Sequence, residues 1–377
     1  MKATVPAMPA RPPRDLRLDV VRGWMQLSIF VSHIAGTGLY WFIHASWGLS
    51  DSSEQFVFLS GLGLGSVFAL KSVRDGFAGA VRDLGGRLRR LYAMHLGVVA
   101  VLAVLAAWAD ARLLPGEAAR MGWGFLAAAP AEALAGLAVG LYQPDFTGIL
   151  PLFAWCMLLL PGFLWLAGRF GAWALLPSAA LYAGVQLGGL EVPGIGGTAL
   201  SFNPLAWQFL FLLGAWFGRQ KLLAGRALPA HPLVTAGAAA VVAVGFYARL
   251  VDHGALPYLG LGGELLEGKS DLPPTRLLHA LALAWLVACI LPREAGWMRG
   301  RLGMTLAAIG RNSLPVFCLG LVLSWVASTA LRLHPQAAPW LDPLLILAGT
   351  GLLASFALWA DRGGAARRTG PERAGGA

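Results

Sequence analysis

The sequence predicts an all-α fold: a polytopic transmembrane helix bundle of about ten spans, with both termini cytoplasmic. Three observations lead there. Hydrophobic residues make up 57% of the 377 positions and charged residues only 13%, against about 25% charged in soluble domains. The apolar stretches approach the ~20 residues that a helix needs to cross a hydrocarbon core, and they lack the alternation of barrel strands. The basic residues are also distributed unevenly. With the N-terminus inside, 21 of the 29 Lys and Arg fall in cytoplasmic segments. Only Arg112, Arg120, Lys269, Arg276 and Arg332 fall in or beside external ones, which is the positive-inside pattern. The net charge of +10 therefore faces anionic headgroups of the lipid bilayer. No nucleic-acid partner is expected.

In chain order the spans are read at 20–43, 54–70, 91–109, 148–167, 171–188, 204–218, 233–251, 276–291, 309–330 and 341–360. Residues 1–15 are rich in Pro and Arg and are expected to be a disordered cytoplasmic tail. No clean small-residue cleavage site follows, so the first span reads as a retained signal-anchor. Residues 16–361 are read as one transmembrane domain and 362–377 as a second disordered tail. The link KSVRDGFAGAVRDLGGRLRR at 71–90 is basic and amphipathic, as expected of a helix lying on the inner leaflet. The long external connection 110–147 contains WGFLAAAPAEALAGLAVGL, broken by Pro130 and Glu132. It is expected to be interfacial or re-entrant rather than an eleventh crossing. The external loops 189–203 and 252–275 are rich in Gly and Pro. No polar stretch is long enough to build a soluble core, and no convincing internal repeat is visible. Cys156, Cys289 and Cys318 lie in apolar spans without CxxC spacing, so they are expected to pack, with no metal site.

Chemistry must then come from ionisable groups in the bundle. Arg22 and His33 are eleven residues apart in the first span. Eleven helical steps return to within about 20° of one face, about 16 Å further along the axis. Ionisable residues within a span are functional candidates by default, and histidine is the commonest general base near neutral pH. Blander roles compete: Asp19 as a helix N-cap, Arg22 snorkelling to headgroups, and His33 as a neutral buried ring. Asp51 and Glu54, in GLSDSSEQFVFLSG, would share a helix face. Either they cap the second span, or one of them orients or charges His33 across the short connection between the spans.

Several strings in order resemble the OpgC family: RDLRLDVVRG, GLSDSSEQFVFLSG, FNPLAWQFLFLLGAWFG, KSDLPPTRLLHALALAWL and GRNSLPVFCLGLVLS. The resemblance runs from Asp15 to about Trp359. That family is implicated in succinylating osmoregulated periplasmic glucans and is related to the acyltransferase-3 superfamily. The superfamily resemblance implies a basic residue, ten intervening positions and a catalytic histidine, which fall on Arg22 and His33. FVFLSG, Phe56 to Gly61, resembles its second-span signature. One position departs: Gly148 stands where an Asp is expected before ILP.

The resemblance implies an enzyme of the bacterial inner membrane. It would be a membrane-bound acyl-CoA-dependent O-acyltransferase acting on a periplasmic glucan, with acyl-CoA (succinyl-CoA) as donor substrate and no bound cofactor. His33, Asp51 and Glu54 are the expected catalytic residues. Asp19, Arg22 and Arg311 are expected to meet the donor. Asn203, Trp207, Gln208, Lys269, Arg276 and His279 are expected at the acceptor side, where a carboxylated acyl chain needs a cation. Two alternatives stay open. One is acyl transfer to another envelope polysaccharide or a lipid-linked sugar. The other is a non-catalytic transporter, which should show repeated, broken helices and paired intramembrane charges.

Overall fold

The computed structural model describes residues 15–224 and 231–369. Of the two expected tails, 1–14 and 370–377 lie outside the described residues. The described chain is all-helical, without a strand. In chain order its α-helices are α1 (Leu16–Ser32), α2 (Ser52–Arg112), α3 (Glu117–Arg120), α4 (Gly124–Ala128), α5 (Pro130–Val139), α6 (Ile149–Phe170) and α7 (Leu176–Gly188). There follow α8 (Pro204–Ala224), α9 (Pro232–Asp252), α10 (Pro274–Ile290), α11 (Arg301–Arg311), α12 (Ser313–Leu333) and α13 (Ala338–Thr369). Five stretches are long and apolar enough to cross a membrane: Ser52–Arg112, Ile149–Gly188, Pro232–Asp252, Ser313–Leu333 and Pro335–Gly363. α2 is two helices joined at a kink at Gly76, 52–75 and 77–112, and at ~1.5 Å per residue each is long enough to cross a hydrocarbon core of about 30 Å.

The boundaries differ from the sequence reading in four places. α1 ends at Ser32, not near residue 43, and Asp15 caps it, not Asp19. The apolar run continues, but Gly36 turns left-handed at φ 87°. Ile34, Ile43 and Ala45 then enter the core from loop and 3₁₀ turns. Second, 71–90 is not one helix: it is broken at Gly76 (φ 75°, ψ 167°), and its residues from 77 on continue without a break into the helix that ends at Arg112. Lys71 closes over that break, 3.5 Å from Asp75 and 3.6 Å from Asp83. Third, the expected span 309–330 is broken at Asn312, whose side-chain amide donates to the carbonyl of Ala308 (3.0 Å), with α11 before it and α12 after. Fourth, helix α13 runs to Thr369, beyond the expected boundary at 361. Cys156 and Cys318 are buried, whereas Cys289 is exposed and does not pack as expected. The 123–141 segment forms α4 and α5, of 5 and 10 residues, both too short to cross.

The expected single domain resolves into two compact units, Trp47–Ile290 and a discontinuous unit of Asp15–Ser46 with the chain from Leu291 onward. In the first, α2 and α8 pack backbone to backbone. A Cβ at Gly61 or Gly65 would run into the carbonyls of Phe211 or Ala215, and one at Gly214 or Gly218 into those of Phe58 or Leu62. Small residues permit that approach, and the Ser66 hydroxyl lies 2.9 Å from the Gly218 carbonyl. Helix α6 joins them, with Phe153 edge-on to Phe56 at 5.3 Å. In the second unit α1 meets α11 in the same manner, Gly23 against Leu306 and Gly310 against Asp19. Phe30, Ile309, Val316, Leu331 and Leu353 fill its core.

Candidate functional site

The last turn of α1 is fastened to α12. The Ser324 hydroxyl lies 2.8 Å from the Phe30 carbonyl, and Ser328 Oγ accepts from the Ala35 N–H at 2.9 Å. The turn beyond is held by Asp342, whose Oδ2 accepts from Thr37 Oγ1 (3.0 Å) and the Gly38 N–H (2.8 Å). His33, half-buried, is the C-cap between these anchors. Its Nδ1 lies 2.7 Å from the Ile29 carbonyl oxygen. A carbonyl can only accept, so a neutral ring carries its proton on Nδ1 and its lone pair on Nε2. That is the tautomer a general base requires at Nε2.

Asp19 and Arg311 lie where α1 crosses α11, because Gly310 packs on the backbone of Asp19 and Gly23, and Arg22 is the residue before that glycine. Asp19 is buried and Arg22 half-buried. Arg311 grips Asp361 with both arms of its fork, Nε to Oδ1 at 2.9 Å and Nη2 to Oδ2 at 2.7 Å. Its charge is matched within the unit, which the sequence did not reveal.

In the other unit Asp51 and Glu54 form a capping box at the start of α2. Glu54 Oε2 accepts from the Asp51 N–H at 2.9 Å, and Asp51 Oδ1 from the Ser53 N–H at 2.7 Å. The same carboxylates also hold two cations. Arg276 Nε donates to Glu54 Oε1 at 2.7 Å, and its Nη2 lies 3.2 Å from Asp51 Oδ2. Lys269 Nζ lies 2.6 Å from Asp51 Oδ2. Burial of Asp51 works against ionisation, yet Lys269 and Arg276 hold its carboxyl well below the usual carboxylate range. Arg276 is shut in, with 4% of its side chain exposed, whereas Lys269 is 43% exposed. The cluster presents one cation outward.

His279 lies one turn after Arg276, its ring between Gly48 and Gly245, where an added Cβ would stand 2.5 and 2.6 Å from ring carbons. The Ser50 hydroxyl sits 2.7 Å from His279 Nδ1 and the Ser50 N–H donates to it at 3.3 Å. That nitrogen is therefore an acceptor, and the ring fixes the loop entering α2.

Asn203 and Trp207 hold the same 269–271 turn. Asn203 Nδ2 donates to Asp271 Oδ1 and Trp207 Nε1 to the Ser270 carbonyl, both at 2.9 Å. Gln208 is not part of this: it pairs with Ser178 of α7, which donates to it at 2.6 Å. At Gly148 a side chain has no room, since a Cβ would come within 2.8 Å of Gln143 Oε1 and Ser201 Oγ. Gln143 and Ser201 fill the space beside Gly148 and bond each other, Ser201 N–H to Gln143 Oε1 at 3.0 Å.

No curated protein and no solved structure matches the chain. A family model described as OpgC protein matches residues 14–364. That stretch takes in both units, from the Asp15 cap of α1 into α13, and the chain belongs to the OpgC protein family.

Proposed function

We propose that the chain is a membrane-bound O-acyltransferase, related to the acyltransferase-3 superfamily. It would move an acyl group, succinyl, from cytoplasmic acyl-CoA to a hydroxyl of a periplasmic glucan in the bacterial inner membrane. Family membership suggests the glucan-succinylation role. The observation that supports the mechanism is the His33 ring, whose Nδ1 bonds the Ile29 carbonyl, so that in the neutral ring the proton sits there and Nε2 is the basic nitrogen. In this reading Nε2 removes the proton of a sugar hydroxyl as the oxygen attacks the thioester carbon. The carbon–sulfur bond breaks, and the imidazolium returns the proton to the departing thiolate. Arg22, on the same helix and about 16 Å away, meets donor phosphates, with Asp19 and Arg311, the latter held by Asp361, framing that end of α1.

The carboxylates Asp51 and Glu54 are matched by Lys269 and Arg276, which favours recognition over pairing with the imidazole. Lys269 is the outward cation for the succinyl carboxylate, and Arg276 supports it from below. Asn203, Trp207 and His279 set the loops of this acceptor side. Ten crossings with cytoplasmic termini fit the helices, because α2 and the α6–α7 stretch are each long enough for two. The test is mass spectrometry of periplasmic glucans and envelope polysaccharides from cells with and without the gene. Succinyl esters should vanish from the glucans alone. Loss from another polysaccharide instead would overturn the acceptor, and no loss anywhere the activity.

A further inference from the structure

A cavity of about 440 Å³ opens between α2, α6 and α8, and none of its lining residues belongs to the candidate site described above. Ligand sites typically measure about 300–1,000 Å³. Arg169, in the last turn of α6, and Arg219, on α8, both line it. Neither has a carboxylate partner among the described residues. Arg219 instead sits over the Trp216 ring at 6.0 Å. Ser72 lines the same cavity, and its Oγ is closed to solvent without a hydrogen-bond partner. Phe68 and Phe77, edge-on at 5.5 Å, and Trp165 give it an apolar wall. An arginine in a last helical turn is favourable without any ligand. That does not account for a second unmatched guanidinium from another helix, nor for a buried hydroxyl with nothing to bond.

We propose that this cavity binds the phosphate of an anionic amphiphile, with Arg169, Arg219 and Ser72 on the phosphate and the aromatic wall on its apolar part. Guanidinium forks suit phosphate oxygens. Under the topology proposed above the cavity opens on the cytoplasmic side. There the phosphate can belong to a lipid headgroup or to a coenzyme A bound apart from the donor placed at Arg22. The site itself does not depend on acyl transfer.

Two probes separate the sources. Binding of coenzyme A is measured on the full chain in phosphatidylcholine nanodiscs, and retention of phosphatidylglycerol by native mass spectrometry. Arg169→Gln combined with Arg219→Gln removes the charge. Gly168→Leu keeps both arginines but grows into the cavity, since a Cβ at Gly168 meets nothing within 4 Å. Both variants should melt at the wild-type temperature and weaken one probe at least about tenfold, the scale of a lost charged hydrogen bond. An effect on coenzyme A identifies the nucleotide-bearing source, and one on phosphatidylglycerol the lipid. Arg169→Lys with Arg219→Lys should keep part of the binding. Wild-type binding of both probes by both variants, or no binding of either by the wild type, overturns the site. Turnover is not measured, so failure of the acyltransferase reading leaves the result readable.

Discussion

Glu54 is fully buried and Arg276 nearly so, and each is tolerated because the other is there. Removing one partner of a buried ion pair strands the other, at a cost of about 3–5 kcal/mol. Arg276→Met should therefore lower stability by that amount in denaturant unfolding of the purified protein. Arg276→Met with Glu54→Leu should recover most of it, since apolar replacement of both partners is often neutral. If the double variant is no better than the single, the pair is not the reason for the loss. At this scale the sequence exposed residue types but not partners. The string SDSSE announced the capping box, and the shared face of Arg276 and His279 was visible as a spacing of three. The Arg276–Glu54 contact spans 222 positions, and nothing local signals it. The Arg311–Asp361 fork was hidden for the same reason.

Helix contacts depend on where side chains are missing. On α2, Gly61 faces the α8 backbone, whereas Gly97 on the same helix has nothing within 4 Å. Gly61→Leu should cost more than the ~1–3 kcal/mol of ordinary overpacking, because backbone rather than a side chain must move. Gly97→Leu should be near neutral. Thermal unfolding and the yield of monodisperse protein compare the two, and equal behaviour would show that the α2–α8 contact is looser than described. The helices themselves were legible from apolar length alone. Their ends were not, wherever an apolar run concealed a break. Ile34, Ile43 and Ala45 are apolar because they pack from a loop, not because the helix continues, and Trp41 and Phe42 between them stay exposed. Conversely, the charged 71–90 segment is helical on both sides of the kink at Gly76, with Arg87 paired to Asp83 one turn away at 2.9 Å.

At the scale of the molecule, the proposed ten-span topology has a plain consequence. Reporter fusions after Trp47 and after Arg362 should read external and internal, respectively; a periplasmic reading at Arg362 would contradict the ten-span count. The family and the all-helical architecture were open to inspection of the sequence, because several strings match in order and length sets helix type. The division into two units was not, since one of them joins α1 to helices nearly 300 residues later. The central claim, that the molecule transfers acyl groups through the His33 base, is tested most directly by His33→Gln. Glutamine keeps polarity and approximate size but cannot take up the proton. The measurement is acylated glucan per unit of membrane-inserted protein, alongside thermal stability. The account predicts normal insertion and melting with a rate lower by about 100- to 10,000-fold. A stable His33→Gln protein with near wild-type acylation would contradict it.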